Sequence, residues 1–302
     1  MTTELRGVLP VVATPFTATG EIDYGVVKDE VDWLFEQGVD GIVMGMVSET
    51  LRLSSEERDQ LATELCTAAD GRGTVVTSVG AESLHTAVRY ARAARDAGAT
   101  AVMAIAPVAT AVDSDELMRY YTALIEAIDI PVVVQDASGY LGQPLPIELQ
   151  ARLHTTFGDR ALFKPEAQPI GPKLSALRDA TGGAAKIYEG TGGLALVDSY
   201  RRGIAGTMPG PDLCWALVAL WAALEAADQD RVDALNGLLC ALVSVQTSLD
   251  AFVTVQKHLL HKQGVLPQTY SRGPAGFTLD PETVTEVDRL FTLLHDATFA
   301  RV

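Results

Sequence analysis

EQGVDGIV at residues 36–43 and DAGATAVM at residues 96–103 repeat one design: a glycine, Gly38 or Gly98, ends a helix and a short apolar run follows. Glycine accepts the left-handed backbone angles that terminate helices. Apolar runs without polar alternation read as strands buried on both faces. Outward from these two, similar runs lie at Gly7 to Ala13, Gly41 to Met44, Thr74 to Ser78, Ala101 to Ile105, Pro131 to Gln135, Ala161 to Lys164, Ala185 to Glu189 and Ile204 to Met208. Each is followed by helical periodicity, so the chain reads as βα units. Eight such units over about 210 residues fit an α/β fold closed into a (β/α)8 TIM barrel. A doubly wound open sheet is the alternative.

Helix starts are legible in Ser54, which has Glu57 three residues on in capping-box spacing, and in Ser114, expected to cap the next helix. After Met208 the pattern is helical, over Leu213 to Ala227, Arg231 to Lys262 with an internal break, and Pro281 to Phe299. The expected organisation is a barrel over residues 1–227 and a C-terminal helical extension over residues 228–302, packed on the barrel because no linker separates them.

Composition narrows the partners. In 302 residues, 48% hydrophobic and 21% charged side chains describe a folded chain. A net charge of −16 repels phosphate backbones and anionic lipid, so neither nucleic acid nor membrane is expected. Cys66, Cys214 and Cys240 form no C-x-x-C pair, and the first twelve residues carry no export pattern. A cytoplasmic location is expected. The longest apolar run, Leu213 to Leu224, is twelve residues and too short to span a bilayer.

Barrel enzymes carry their reacting groups at the C-terminal ends of the strands. Of six lysines, Lys28, Lys173, Lys257 and Lys262 fall on expected helices, leaving Lys164 in ALFKPE and Lys186 in AAKIYEG. Lys164 closes its strand, where Pro165 is expected to interrupt the ladder and turn the chain outward. Desolvated there, its neutral amine could attack a ketone and form a Schiff base. A plain ion pair with Glu166 is the other reading. Lys186 lies before its strand's end and suits a structural pair or the barrel bottom.

GVLPVVATPF at 7–16, GIVMGMVSETLRLSSEER at 41–58, FKPE around Lys164 and RRGIAGTMPG at 201–210 give the chain a resemblance to the dihydrodipicolinate synthase and N-acetylneuraminate lyase family over essentially its whole length. The resemblance implies Lys164 as the Schiff-base lysine, a (β/α)8 barrel with a helical extension, no cofactor, and assembly as a homotetramer. It also places Gly45, Met46, Val47, Ser48, Gln135, Asp136, Gly190, Thr191 and Met208 beside the substrate.

Departures from the family pattern are specific. Its usual GTTGE is Gly45, Met46, Val47, Ser48 and Glu49 here, replacing two hydroxyls by apolar side chains. Its usual tyrosine acid/base at the end of the fifth strand is replaced by Gln135, followed by Asp136 and, near the family's arginine position, Tyr140. The aromatic pair usual after the fourth strand's proline is Val108 and Ala109. These losses argue against dihydrodipicolinate synthesis, and the apolar exchange disfavours polyhydroxylated sialic acids.

Schiff-base chemistry still needs a proton carrier within about 3 Å of the reacting atoms. Asp136, Tyr140, Glu166 and Glu189 are the candidates, with Glu166 and Tyr140 preferred as catalytic partners of Lys164. The Gly190–Gly193 loop could hold an anion or be a bare turn, and Ser138, Gly139 and Gly142 could make the loop after the fifth strand a cover. His85, His154, His258, His261 and His295 all fall on expected helices, and no metal site is expected.

The expected activity is that of a Schiff-base lyase making or breaking C–C bonds on a 2-oxo acid such as pyruvate. A 2-keto-3-deoxy acid dehydratase, a non-catalytic 2-oxo acid binding barrel and a metal-dependent barrel lyase are the alternatives.

Overall fold

The computed structural model describes residues 4–300, so the first three residues of the opening segment and the last two of the expected extension lie outside it. In chain order its elements are β1 (Gly7–Val8), α1 (Tyr24–Glu36), β2 (Gly41–Met44), α2 (Ser55–Ala69), β3 (Thr74–Ser78), α3 (Leu84–Asp96), β4 (Ala101–Ile105), α4 (Ser114–Glu126) and β5 (Val132–Asp136). They continue as α5 (Ile147–Phe157), β6 (Ala161–Pro165), α6 (Ile170–Ala180), β7 (Tyr188–Glu189), α7 (Leu196–Arg201), β8 (Gly206–Thr207) and α8 (Cys214–Glu225). Three further helices follow, α9 (Gln229–Val243), α10 (Leu249–Lys262) and α11 (Pro281–Phe299).

Strands β2 to β6 form one parallel run in sequence order, and β1, β8 and β7 form a second. Single parallel bridges, Val11 to Val43 and Phe163 to Ile187, join the two runs at both edges. The sheet is therefore closed, which excludes the open doubly wound alternative. β1, β7 and β8 are shorter than their apolar runs suggest. The chain there still bonds its neighbours, as in Leu9 N–H to Thr207 O at 2.9 Å and Val11 N–H to Pro209 O at 2.7 Å, but Pro10 and Pro209 lack the N–H groups a regular ladder needs.

The two-residue period of each strand sorts its side chains into two cores. Leu9, Val11, Val43, Val76, Met103, Val133, Leu162 and Met208 fill the barrel interior. Ile42, Val75, Val102, Val134 and Phe163, one step out of phase, pack against the surrounding helices.

Helix ends follow local chemistry. Ser54 and Glu57 exchange both bonds of a capping box, at 3.2 and 2.8 Å. Gly38 and Gly98 carry φ of 84° and 97° after their helices. Ser114 is the first residue of α4 rather than its cap; Asp113 caps instead, its carboxylate accepting from Glu116 N–H at 2.8 Å. A carboxylate is the stronger acceptor for an unpaired amide. The break expected in the long C-terminal helix falls before Ser248, which caps α10 through Ala251 N–H.

α9 packs on α8 and α11, while α10 lies over the turn that follows β2. Among the described residues no helix is long and apolar enough to cross a membrane.

Candidate active site

Side-chain alternation on β6 aims Leu162 and Lys164 into the barrel, and Glu166 keeps the phase. On β5 the same rule points Val133 and Gln135 inward, and the parallel register sets Gln135 beside Lys164. Three polar side chains thus meet above the apolar interior. Lys164 Nζ lies 3.3 Å from Glu166 Oε1, and the two side chains are 4% and 3% exposed. Gln135 Nε2 donates to Glu166 Oε2 at 2.6 Å.

Pro165 does not interrupt the ladder or turn the chain outward, as the sequence suggested it would. It is the last residue of β6, and Glu166 N–H still makes the next rung to Asp136 O at 2.9 Å. In a parallel ladder alternate residues bond a given neighbour, so the missing N–H of Pro165 falls where that neighbour needs none. The extra rung fixes the Glu166 backbone, and with it the carboxylate beside the lysine.

Burial holds the Glu166 carboxyl above the ordinary carboxylate range, against the opposing pull of the Lys164 charge and the Gln135 hydrogen bond. A carboxyl beside an amine can act as general acid when protonated and as base when ionised.

These groups face a narrow cavity at the C-terminal ends of the strands. Met46, Val47, Gln135, Tyr140, Lys164, Glu166, Gly190 and Met208 line it. Met46 and Val47 open a short 3-10 turn over Met46–Ser48, whose first amides have no partner within the turn. Tyr140 leans its ring on Phe252 in an edge-to-face contact with centroids 5.9 Å apart. Burial, with the charges of Glu166 and Glu189, raises its phenol well above the usual value, so it stays a proton-bearing donor.

Other expected site residues sit behind this lining. Ser48 donates its hydroxyl to Val12 O at 2.5 Å and accepts from Gly45 N–H at 3.1 Å, folding the turn on itself. Gly45 packs against Val11, leaving no room for a β-carbon, which would fall 2.9 Å from Val11 Cγ1. Asp136 accepts from Ser138 N–H and Leu145 N–H, both at 3.1 Å, and so ties down the loop between β5 and α5. Glu189 accepts from Thr207 Oγ1 at 2.6 Å and from both the amide and hydroxyl of Thr191. Its two oxygens are committed to pinning β7 to β8 and to the following loop.

Lys186 pairs with Glu4 at 3.2 Å, away from the cavity. His258 meets Asp288 at 2.9 Å and His261 meets Leu266 O at 2.8 Å. Among the described residues no three His, Cys, Asp or Glu side chains converge as metal ligands.

The sequence reading missed several lining residues. Val11 and Gly210, at the mouth beside β1 and β8, were open to the same strand-end rule that singled out Lys164. Leu249 and Phe252 carried no such signal, because they reach the cavity from α10 in the C-terminal helices. Lys257, on the same helix, is also buried; its amine pairs with Glu49 at 2.5 Å and donates to Tyr270 O at 2.8 Å.

The sequence model of the dihydrodipicolinate synthetase family matches residues 4–292. An L-2-keto-3-deoxyarabonate dehydratase from Azospirillum brasilense is 28% identical over 290 residues, covering 93% of this chain and 92% of the relative. A 4-hydroxy-tetrahydrodipicolinate synthase from Thermomicrobium roseum is 33% identical over 193 residues, covering 64% of this chain and 63% of the relative. Among solved structures, dihydrodipicolinate synthase from Rhodopseudomonas palustris superposes with a TM-score of 0.88 at 27% identity, covering 97% of this chain and 99% of that one. The chloride-inhibited enzyme of that name from Acinetobacter baumannii, complexed with pyruvate, gives 0.85 at 25% identity, covering 98% and 100%.

Proposed function

Because this chain belongs to the dihydrodipicolinate synthetase family, we propose that it is a Schiff-base lyase acting on a 2-oxo acid, with Lys164 as nucleophile and Glu166 as proton carrier. The observation that carries this reading is the buried Lys164 amine, 3.3 Å from the Glu166 carboxylate and facing a cavity at the barrel mouth. The pyruvate in the Acinetobacter relative supports the substrate class.

The neutral Lys164 amine adds to C2 of the 2-oxo acid: a C–N bond forms, the C=O π bond breaks, and a proton from the nitrogen passes to the oxygen, giving a carbinolamine. Its hydroxyl takes the Glu166 proton and leaves as water, giving an iminium. The Glu166 carboxylate then removes a proton from C3, giving the enamine. Gln135 holds the second carboxylate oxygen, so the same carboxyl serves both transfers without swinging away. The Met46 and Val47 amides are placed to receive the substrate carboxylate, and the Tyr140 hydroxyl to donate a hydrogen bond. From the enamine, addition of an aldehyde at C3 makes a C–C bond, and the reverse breaks it.

Loss of a hydroxyl β to the iminium is a second outcome from the same intermediate. The 28% identity to a 2-keto-3-deoxy acid dehydratase over nearly the whole chain favours it as the alternative.

Borohydride added with pyruvate should fix a reduced adduct on Lys164, located by peptide mass spectrometry and missing from Lys164→Ala. A wild-type protein without the adduct, or an adduct that survives the substitution, sinks the proposal. Product analysis then separates the outcomes: aldol product from pyruvate and an aldehyde, or water loss from a 2-keto-3-deoxy acid. An adduct with neither product would leave a binding protein.

A further inference from the structure

Beyond the lysine, the side chains that line the cavity are mainly apolar: Met46, Val47, Leu249 and Phe252, with Tyr140 set edge-on against Phe252. Ile105, Val108, Ala137 and Leu141 pack behind Met46, Tyr140 and Leu249 and back this wall. The chain supplies the wall from the turn after β2, the loop after β5 and helix α10, and its backing also from the end of β4 and the loop after it.

Apart from the Tyr140 hydroxyl, which the mechanism above uses, the polar side chains near the cavity are turned away or already engaged. The charged side chains lining the cavity, Lys164 and Glu166, face each other, and the Gln135 amide is held by Glu166. The hydroxyl of Ser48 goes to Val12 O, and those of Thr191 and Thr207 both go to Glu189. The cations behind the β2 turn are neutralised, Lys257 by Glu49 and Arg52 by Asp250 at 2.6 Å. A hydroxyl or carboxylate on the far end of a substrate would give up water without a side-chain partner, at about 1–3 kcal/mol for each neutral group and more for a charge. A methyl or aryl group there gains about 25 cal/mol per Å2 of apolar surface removed from water.

We infer that the part of the substrate distal to C4, beyond the carbon whose hydroxyl the aldol or dehydration step needs, is an uncharged hydrocarbon group, branched aliphatic or aromatic, seated against Met46, Leu249 and Phe252. This specificity rests on the Schiff-base reading above. The wall is what the sequence departures build: Met46 and Val47 stand where hydroxyls are usual, and Val108 stands after the fourth strand's proline.

The test needs no assumption about which bond the enzyme breaks. Full-length protein is titrated with three 2-oxo acids of similar reach under borohydride: 4-methyl-2-oxopentanoate, 2-oxoglutarate and 4,5-dihydroxy-2-oxopentanoate. The half-saturating concentration for the Lys164 adduct is read for each. The branched aliphatic acid should saturate at a concentration at least about tenfold lower than either polar one, the scale on which apolar pockets discriminate. Phe252→Ser should shrink that ratio and Phe252→Leu should keep it. Equal or tighter saturation by 2-oxoglutarate or the dihydroxy acid overturns the inference while leaving the Schiff base intact. No Lys164 adduct with any of them, pyruvate included, overturns the parent reading and this one with it.

Discussion

Gly190 leaves the space that the Lys164 side chain occupies: a β-carbon there would lie 2.4 Å from Lys164 Cε and 2.5 Å from Glu166 Oε1. The glycine follows β7, the strand beside the β6 that delivers the amine. Gly190→Ala should therefore push the lysine aside without touching its chemistry. Adduct formation with pyruvate should slow by about 10²-fold, the order expected for a misplacement near 1 Å, while circular dichroism stays unchanged. An alanine variant trapped as fast as wild type would show that the lysine moves freely.

Glu166→Gln keeps the size and the hydrogen-bonding plane of the carboxylate but cannot carry a proton. Turnover should fall by about 10²- to 10⁴-fold, while slow borohydride trapping at Lys164 persists. Undiminished turnover would transfer the proton role to another group, with Tyr140 the next to test.

Gln135→Leu removes the donor that favours the ionised Glu166 carboxyl. Burial then acts with less opposition, and the pKa of Glu166 should rise further. In the pH dependence of kcat, the limb that reports Glu166 should move to higher pH. An unmoved limb would mean that Glu166 is not the titrating group.

The Lys257–Glu49 ion pair is almost fully buried, the side chains being 1% and 0% exposed, and it joins α10 to the β2 turn. Lys257→Met leaves the Glu49 charge in a low-dielectric site with its principal partner gone. Unfolding in urea should show a loss of about 3–5 kcal/mol. A loss below 1 kcal/mol would mean that Arg52, 3.6 Å from Glu49, takes over the charge.

Two further buried carboxyls set a pH dependence of stability. Burial pushes Glu30 up to about 8, against its hydrogen bond from Ala13 N–H and the Lys257 charge, and pushes Asp212 up to about 7. In both, the folded state holds a proton that the unfolded chain has already released above the ordinary carboxylate value near 4. Folded protein then binds more protons than unfolded, so stability falls as pH rises from about 4 and levels off once the folded groups ionise. Urea midpoints should decline between pH 5 and about 8, and Glu30→Gln should flatten part of the decline. A midpoint that rises over that range contradicts the buried neutral state of these acids.

Much of the barrel was legible because strands buried on both faces write themselves as unbroken apolar runs. β2, β3 and β4 have the bounds their runs suggest, whereas β7 covers only the last two residues of its run. Lysine at a strand end was informative because a buried amine is uncommon without a partner or a role. Lys257 was not legible in that way. Its helix position looked ordinary, and only the chain's return over the β2 turn buries it.

Strand periodicity was enough to determine that Leu162 and Lys164 point to the same side, since a two-residue period is a property of the backbone alone; that Glu166 keeps this phase past Pro165, where the sequence suggested an outward turn, only the structure decided. What faces them depends on contacts between residues far apart in sequence. Gln135 reaches Glu166 from the neighbouring strand, Phe252 comes from a helix about ninety residues downstream of Lys164, and Glu189 and Asp136 are engaged in tying their own loops. Local pattern fixes which way a side chain leaves its strand. Only closure of the barrel and the docking of α10 decide which groups share the dry space it enters.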